Sequence, residues 1–207
     1  MKYINNHLAE FGSFFIIVCL ASSCAKNDAN PEDNEQTGGK AVPNSLHIAF
    51  ETPDWKRQID CSALDLYPTA ANDEVAYVFA SSQSTRLTFV LSYPSLASEL
   101  EKSPSTGRYA AAEYLKPTGP FQYGMKLPLD DDKLDLSDGR LVSKAGNSET
   151  EFTEITEIKR IGIEGEYVVF QIKGRYGFNS TLVKASGNEV GKYAKGTFNL
   201  KVRAFID

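Results

Sequence analysis

Five aspartates fall within nine residues, Asp130, Asp131, Asp132, Asp135 and Asp138, the densest carboxylate run in the chain. Oxygen ligands at that density suit a hard cation such as Ca²⁺, which takes roughly six to eight of them. The spacing departs from the Asp-x-Asp-x-Asp-Gly loop closed by a Glu. A solvated acidic loop is therefore the plainer expectation, with Asp130, Asp132 and Asp135 the candidate ligands if a metal binds. A second cluster surrounds the single Trp, where Glu51, Asp54 and Asp60 flank Trp55. An indole beside carboxylates can line a sugar site, and a suitably spaced carboxylate pair can hydrolyse a glycosidic bond. A lone indole equally serves as a core or rim anchor.

Past residue 40 the chain holds one His, His47, and one Cys, Cys61. That leaves little material for a zinc site or a His-based triad. No Gly-x-Ser-x-Gly turn, phosphate-cradling glycine loop or His-Glu-x-x-His is present. A non-catalytic protein without a cofactor is the expectation. Cys61 reads as a small buried hydrophobe, and His47 as a solvent-facing or pairing residue opposite Leu46, Ile48 and Phe50.

Charge is unevenly distributed. The chain carries 22 Lys+Arg against 27 Asp+Glu, a net charge of −5, which lacks the electrostatic footprint of a nucleic-acid binder. Residues 157–207 nevertheless hold 9 basic and 5 acidic side chains, whereas residues 40–156 hold 11 and 17. Lys173, Arg175, Lys201 and Arg203 occupy alternate positions in two apolar-alternating runs. If those runs pair as strands, the four cations share the polar face and form a candidate site for an anionic glycan or lipid headgroup. Cross-strand acids would quench it.

The elements that position these residues are strands. Leu46, Ile48 and Phe50 alternate with polar neighbours. So do Val75, Tyr77 and Phe79; Leu87, Phe89, Leu91 and Tyr93; and Phe121, Tyr123, Met125 and Leu127. Val168, Phe170, Ile172, Tyr176 and Phe178 share a face across Gly174, as do Phe198, Leu200, Val202, Ala204 and Ile206 at the end of the chain. Such alternation is the antiparallel habit, one face buried and one wet. Residues 81–84 suit a hairpin link. Phe152, Ile155, Ile158 and Ile161 recur every third residue, which predicts a bulged strand or, alternatively, a short helix. Residues 95–101 predict one or two helical turns capped by Ser95. Residues 52–72 read as irregular, with a turn of helix around 60–66. The fold class expected is all-β, an antiparallel β-sandwich or partly closed barrel with one or two short helices, in a single domain over residues 45–207. Two motifs echo each other 22 residues apart: Lys173-Gly174-Arg175-Tyr176 and Lys195-Gly196-Thr197-Phe198. They predict adjacent strands, each with a Gly where the backbone bulges or closely approaches a neighbour.

The amino terminus supplies an address. Residues 14–21 form an apolar run of eight, too short to span a bilayer but right for a signal peptide. Ala21-Ser22-Ser23-Cys24 follows and resembles the lipobox of bacterial lipoproteins, with Ala21 where Leu is usual. The resemblance implies a signal over residues 1–23, lipid on Cys24 and, after it, a flexible acidic tether to residue 44. An ordinary secretory signal leaving Cys24 as a free thiol is the alternative. The acidic stretch after Cys24 is similar to the surface-export signal of Bacteroidota lipoproteins, against a solvated periplasmic linker. Gly107-Arg108-Tyr109, Thr153-Glu154-Ile155-Thr156-Glu157-Ile158 and the two Gly-x-aromatic strands also resemble small Bacteroidota envelope lipoproteins of unknown function, over residues 105–207. That resemblance implies a β-sandwich at the cell envelope and transfers no catalytic residues. The expectation is an outer-membrane lipoprotein, held to the membrane by lipid on Cys24, that binds a glycan or an envelope protein. A structural subunit of an envelope or fimbria-like assembly, pairing through its terminal strand, is the alternative. A carboxylate-dependent glycan hydrolase is the second.

Overall fold

The computed structural model describes residues 41–84, 87–102, 106–126, 140–183 and 189–207. The expected signal peptide, Cys24, most of the tether and the aspartate run at 130–138 lie outside the described residues. The elements are β1 (His47–Thr52), β2 (Trp55–Asp60), β3 (Ala70–Ala71), β4 (Val75–Ser82), β5 (Leu87–Pro94), α1 (Ala97–Glu101), β6 (Gly107–Ala110), β7 (Tyr123–Lys126), β8 (Arg140–Ser143), β9 (Phe152–Glu164), β10 (Tyr167–Val183) and β11 (Glu189–Phe205). All eleven strands join one antiparallel sheet in the order β2-β1-β11-β10-β8-β7-β5-β4-β3, with β9 branching from β10 and β6 from β9. The branch forms because β10 is 17 residues long: Tyr167 to Gly177 pair with β9 and the last four residues with β8.

The sheet curls into a half-barrel. Phe50 on β1 stacks on Phe89 of β5 at 5.1 Å although five steps of strand order separate them, and the Tyr93 hydroxyl donates to the Arg203 carbonyl at 2.7 Å. Of the two all-β forms expected, the curled, partly closed one is what the chain adopts. Its concave face holds the core.

β10 and β11 pair without interruption from Tyr167↔Phe205 to Val183↔Glu189. In that register Gly174 faces Phe198 and Tyr176 faces Gly196, so the two echoed motifs cross head to tail and each aromatic ring lies over the other's glycine. A Cβ on Gly174 would sit 2.7 Å from the Phe198 ring and 2.6 Å from the Glu154 carbonyl. A Cβ on Gly196 would meet the Tyr176 hydroxyl at 2.6 Å and overlap the Ala49 carbonyl oxygen. The space is used: the Tyr176 hydroxyl reaches across Gly196 and donates to Ala49 O at 2.6 Å. Tyr176 also stacks on Tyr123, centroids 4.0 Å apart, and this aromatic cluster fills the concave side.

The three-residue periodicity in β9 resolves into bulges. Its register against β10 shifts between Val169 and Phe170 and between Lys173 and Gly174, leaving Ile161 and Thr156 as the extra residues. Each bulge turns a period of two into a local period of three, so Ile155 and Ile158 both face inward opposite Gly174 and Ile172.

Four other expectations change. Residues 55–60 form an edge strand, not irregular chain, returning along β1 after a two-residue turn in which Thr52 Oγ1 donates to Asp54 Oδ1. No helix forms at 60–66. The short helix α1 exists, but Ser95 does not cap it: Leu96 is the capping residue, and the buried Ser95 hydroxyl has no hydrogen-bond partner among the described residues. Finally, the ordered domain begins before Ser45. Val42 is buried, and Asn199 Nδ2 donates to the carbonyls of Asn44 and Pro43 at 2.8 and 3.3 Å, so residues 42–44 strap the outer face of β11.

Gly196→Ala is expected to lower unfolding stability by about 3 kcal/mol or more, because neither the Ala49 carbonyl nor the buried Tyr176 ring can move aside. Gly162→Ala, in open space on β9, should stay within about 0.5 kcal/mol. Urea unfolding of both variants gives the comparison, and equal stabilities would remove the proposed role of the glycine–tyrosine crossing.

Candidate functional site

The face of the sheet opposite the core can be read strand by strand from the registers. One row runs Lys56, Glu51, Lys195, Gly177, Phe152 across β2, β1, β11, β10 and β9. The row beside it places Gln58, Ala49, Thr197, Arg175 and Glu154, with Arg108 of β6 beyond. A third holds Asp60, His47, Asn199, Lys173 and Glu157, and the strap at 42–44 lies over its middle.

Lys173, Arg175, Lys201 and Arg203 do lie on this one face, but each is engaged. Arg175 donates from Nε and Nη2 to Glu154 Oε2 at 3.0 and 2.8 Å. Lys173 Nζ donates to Asn44 Oδ1 at 2.7 Å, and Lys201 lies 3.4 Å from Glu164. Arg203 is only 3% exposed. It donates to Glu164 Oε2 from Nε (2.9 Å) and Nη2 (2.6 Å) and to the Leu66 carbonyl, pairs with Asp65, and lies 3.8 Å under the Tyr67 ring. It pins the irregular stretch at 61–69 to the β9–β10 turn. The four cations are therefore not an open patch: acids from β9 and from that stretch meet Arg175, Lys201 and Arg203, and Asn44 meets Lys173.

A cleft of about 480 Å³ occupies the first two rows. Its floor is small: Ala49, Gly196 and Thr197. Here the β1–β11 ladder opens, pairing at Ile48↔Phe198 and again at Glu51↔Lys195 but not between. Phe152 and Tyr193 form one wall, Glu51, Lys56 and Gln58 the other, and Ala41 and Pro43 close one end. The Arg108 guanidinium lies 4.0 Å over the far side of Phe152 and bonds the carbonyls of Ser148 and Glu149. Tyr193 lies across Gly177 and donates to Thr150 O at 3.0 Å. Both rings are thus held in place before any ligand arrives.

His47 is fully buried beneath the strap rather than solvent-facing. Its Nδ1 lies 2.8 Å from the Ser45 carbonyl, which can only accept, and its Nε2 lies 2.8 Å from Thr197 Oγ1. The ring thus ties the strap at Ser45 to Thr197 on the cleft floor. Glu51 joins two lysines, Lys195 at 3.3 Å and Lys56 at 3.5 Å. Burial raises its pKa, but the hydrogen bond and charge of Lys195, with Lys56, outweigh that and hold the carboxyl below its ordinary range. Trp55 sits on the edge strand with its ring 6.5 Å from Phe50, a rim anchor outside the cleft lining. Asp54 pairs with Lys192, and Asp60 caps the backbone N–H of Ser62 at 2.8 Å. Cys61 is buried, and burial pushes its thiol up to about 12, leaving it protonated at neutral pH. Among the described residues no cluster of His, Cys, Asp and Glu could hold a metal, and no helix is long and apolar enough to cross a membrane.

No protein family, curated protein or solved structure matches the chain. The cleft's own chemistry must carry any functional reading.

Of the candidate site residues singled out from sequence, Arg175 and Glu51 line this cleft, and the other acids around Trp55 do not. Lys56, Glu51, Lys195, Phe152 and Tyr193 were not legible as a group, because their meeting depends on a register linking five strands.

Glu164 is held below its ordinary range first by the hydrogen bonds from Arg203 and then by the charges of Arg203 and Lys201. A depressed folded-state pKa gives stability that is full above the unfolded-state value and lost as pH falls through the folded one. Urea unfolding at about pH 7 and about pH 3.5, spanning the carboxylate range, should show Glu164→Gln losing less stability on acidification than the parent. An equal loss would show that Glu164 is not part of the acid response.

Proposed function

We propose that this is a lipid-anchored cell-envelope protein whose β-domain binds a glycan in the outer-face cleft without transforming it. The observation that carries the reading is the cleft floor. A split strand ladder, a threonine hydroxyl held by His47 and a wall of two immobilised aromatic rings offer a saccharide both hydrogen-bonding and flat apolar surface. Sugars present hydroxyls at their edges and C–H groups on their faces, and rigid aromatic rings supply contact area at small entropic cost. The amino-terminal pattern supports anchoring through Cys24 in the outer membrane, on the surface or the periplasmic side.

The hydrolase alternative has less support. Among the described residues the cleft lining contains one carboxylate, Glu51, and its two lysines favour the ionised form, the wrong direction for a general acid. The assembly alternative moves to a new place. The terminal strand β11 lies inside the sheet between β1 and β10. Among the described residues, one open edge is that of β9 beyond Ile155, where β6 pairing stops and Ile161 and Ile163 are exposed.

Two measurements test the proposal. Labelled fatty acid should enter the wild-type chain and be lost in Cys24→Ala, and label persisting in the variant would refute that anchor site. On a glycan array the full chain should retain at least one saccharide class, and Phe152→Ala should weaken that binding about tenfold while thermal unfolding stays near wild type. An array with no retained saccharide would overturn the binding reading.

A further inference from the structure

Resting on the glycan-cleft reading, we infer that the saccharide bound there is acidic, with its carboxylate or sulfate lodged between Lys56 and Lys195. The argument begins with the row that crosses the cleft mouth. Lys56, Glu51 and Lys195 stand side by side on three neighbouring strands, so two ammonium groups share one carboxylate. Both contacts are long, at 3.5 and 3.3 Å, and the lysine side chains remain 71% and 57% exposed. Ion pairs this open contribute little to stability, typically under about 1 kcal/mol. A ligand anion can therefore take over either ammonium without breaking a tightly held contact.

The same face shows what a committed pair looks like. Arg203 sits 2.6 Å from Glu164 and is almost wholly buried; Arg175 sits 2.8 Å from Glu154 with both side chains about two-thirds covered. Those acids quench their cations. Even so, Arg175 spends only Nε and Nη2 on Glu154, and its Nη1 has no partner among the described residues. The lining thus combines three cationic donors, Lys56, Lys195 and Arg175, with a single carboxylate. Its surplus is in donors and positive charge, and the complementary ligand is rich in acceptors and negatively charged.

Placement selects a sugar acid over a bare anion. The Lys56–Glu51–Lys195 row continues through Gly177 to Phe152, whose ring is fixed from behind by Arg108. Gly177 adds no side chain to the row, and the hydroxyl end of Tyr193 takes the space this leaves. An acidic sugar laid along this row sets its charge at the lysines and its apolar face toward the two aromatics, over Thr197.

The test uses the full chain with polygalacturonate and heparin as acidic probes, and with fully methyl-esterified polygalacturonate and pullulan as uncharged ones, followed by calorimetry. Acidic polymers should bind and the esterified one should bind at least tenfold more weakly, with affinity falling as salt is raised from about 0.05 to about 0.5 M. Lys56→Gln with Lys195→Gln should cut affinity for the acidic probes at least tenfold. Glu51→Gln, which removes the competing carboxylate, should raise it several-fold, a direction that damage to the fold would not produce. Equal binding of esterified and acidic polymer, or an unchanged affinity in Glu51→Gln, would overturn the acidic assignment and leave the glycan cleft standing. Failure of both acidic probes while neutral sugars bind has the same meaning. No binding by any saccharide would remove both.

Discussion

The structure turns on one reciprocal crossing: Phe198 over Gly174 and Tyr176 over Gly196, in the middle of the longest hairpin. Neither ring has room if either glycine gains a methyl group. From this constraint follow the close approach of β1 to β11 at Ala49, the interruption in their ladder and the aromatic stack toward Tyr123. A tyrosine hydroxyl satisfies from within the core a carbonyl that the ladder leaves unpaired, which keeps a broken strand pair tolerable. The cleft on the outer face lies over this flaw in the sheet. Core packing and binding surface are two sides of one backbone irregularity.

Much of the fold was legible because alternation is a local property. The faces of β1, β5, β10 and β11 can be read from residue types alone, and so can the irregularity of β9, though that it consists of two bulges is seen only in the register. The Gly-aromatic echo also pointed correctly to neighbouring strands. β4 misleads in a simple way. Val75, Tyr77 and Phe79 do share a face, but it is the outer one, with Phe79 39% exposed. The interior takes Ala76, Val78 and Ala80 instead, because Tyr93, Leu91 and Phe89 opposite them already fill that space. Volume on one strand decided the orientation of the next.

The site was less legible, and for a physical reason. Whether a surface cation is free depends on which acid the register places beside it. The spacing of Lys201 and Arg203 says they share a face; it does not say that Glu164 and Asp65 come to the same place from separate segments. The strap was hidden likewise. Residues 41–44 look like tether, yet Asn199 holds their carbonyls and Lys173 holds Asn44. Polar side chains on a strand's wet face can recruit passing chain as readily as solvent, and Gln122, buried against Tyr77 and the carbonyls of Lys116 and Gly119, does the same just ahead of β7.

The last strand made is the one most of the sheet depends on. His47 finds its partner only when Asn199 exists, and both motifs of the glycine crossing lie in the final third of the chain. During synthesis β1 and β2 form an isolated hairpin, marginal by itself in water, and β10 lacks its full-length neighbour. Closing so distant a pairing is entropically slow. The pairing of β1 with β11 and the full-length pairing of β10 consequently wait until β11 has been made. The wait between making the first strand and making its partner follows from topology alone.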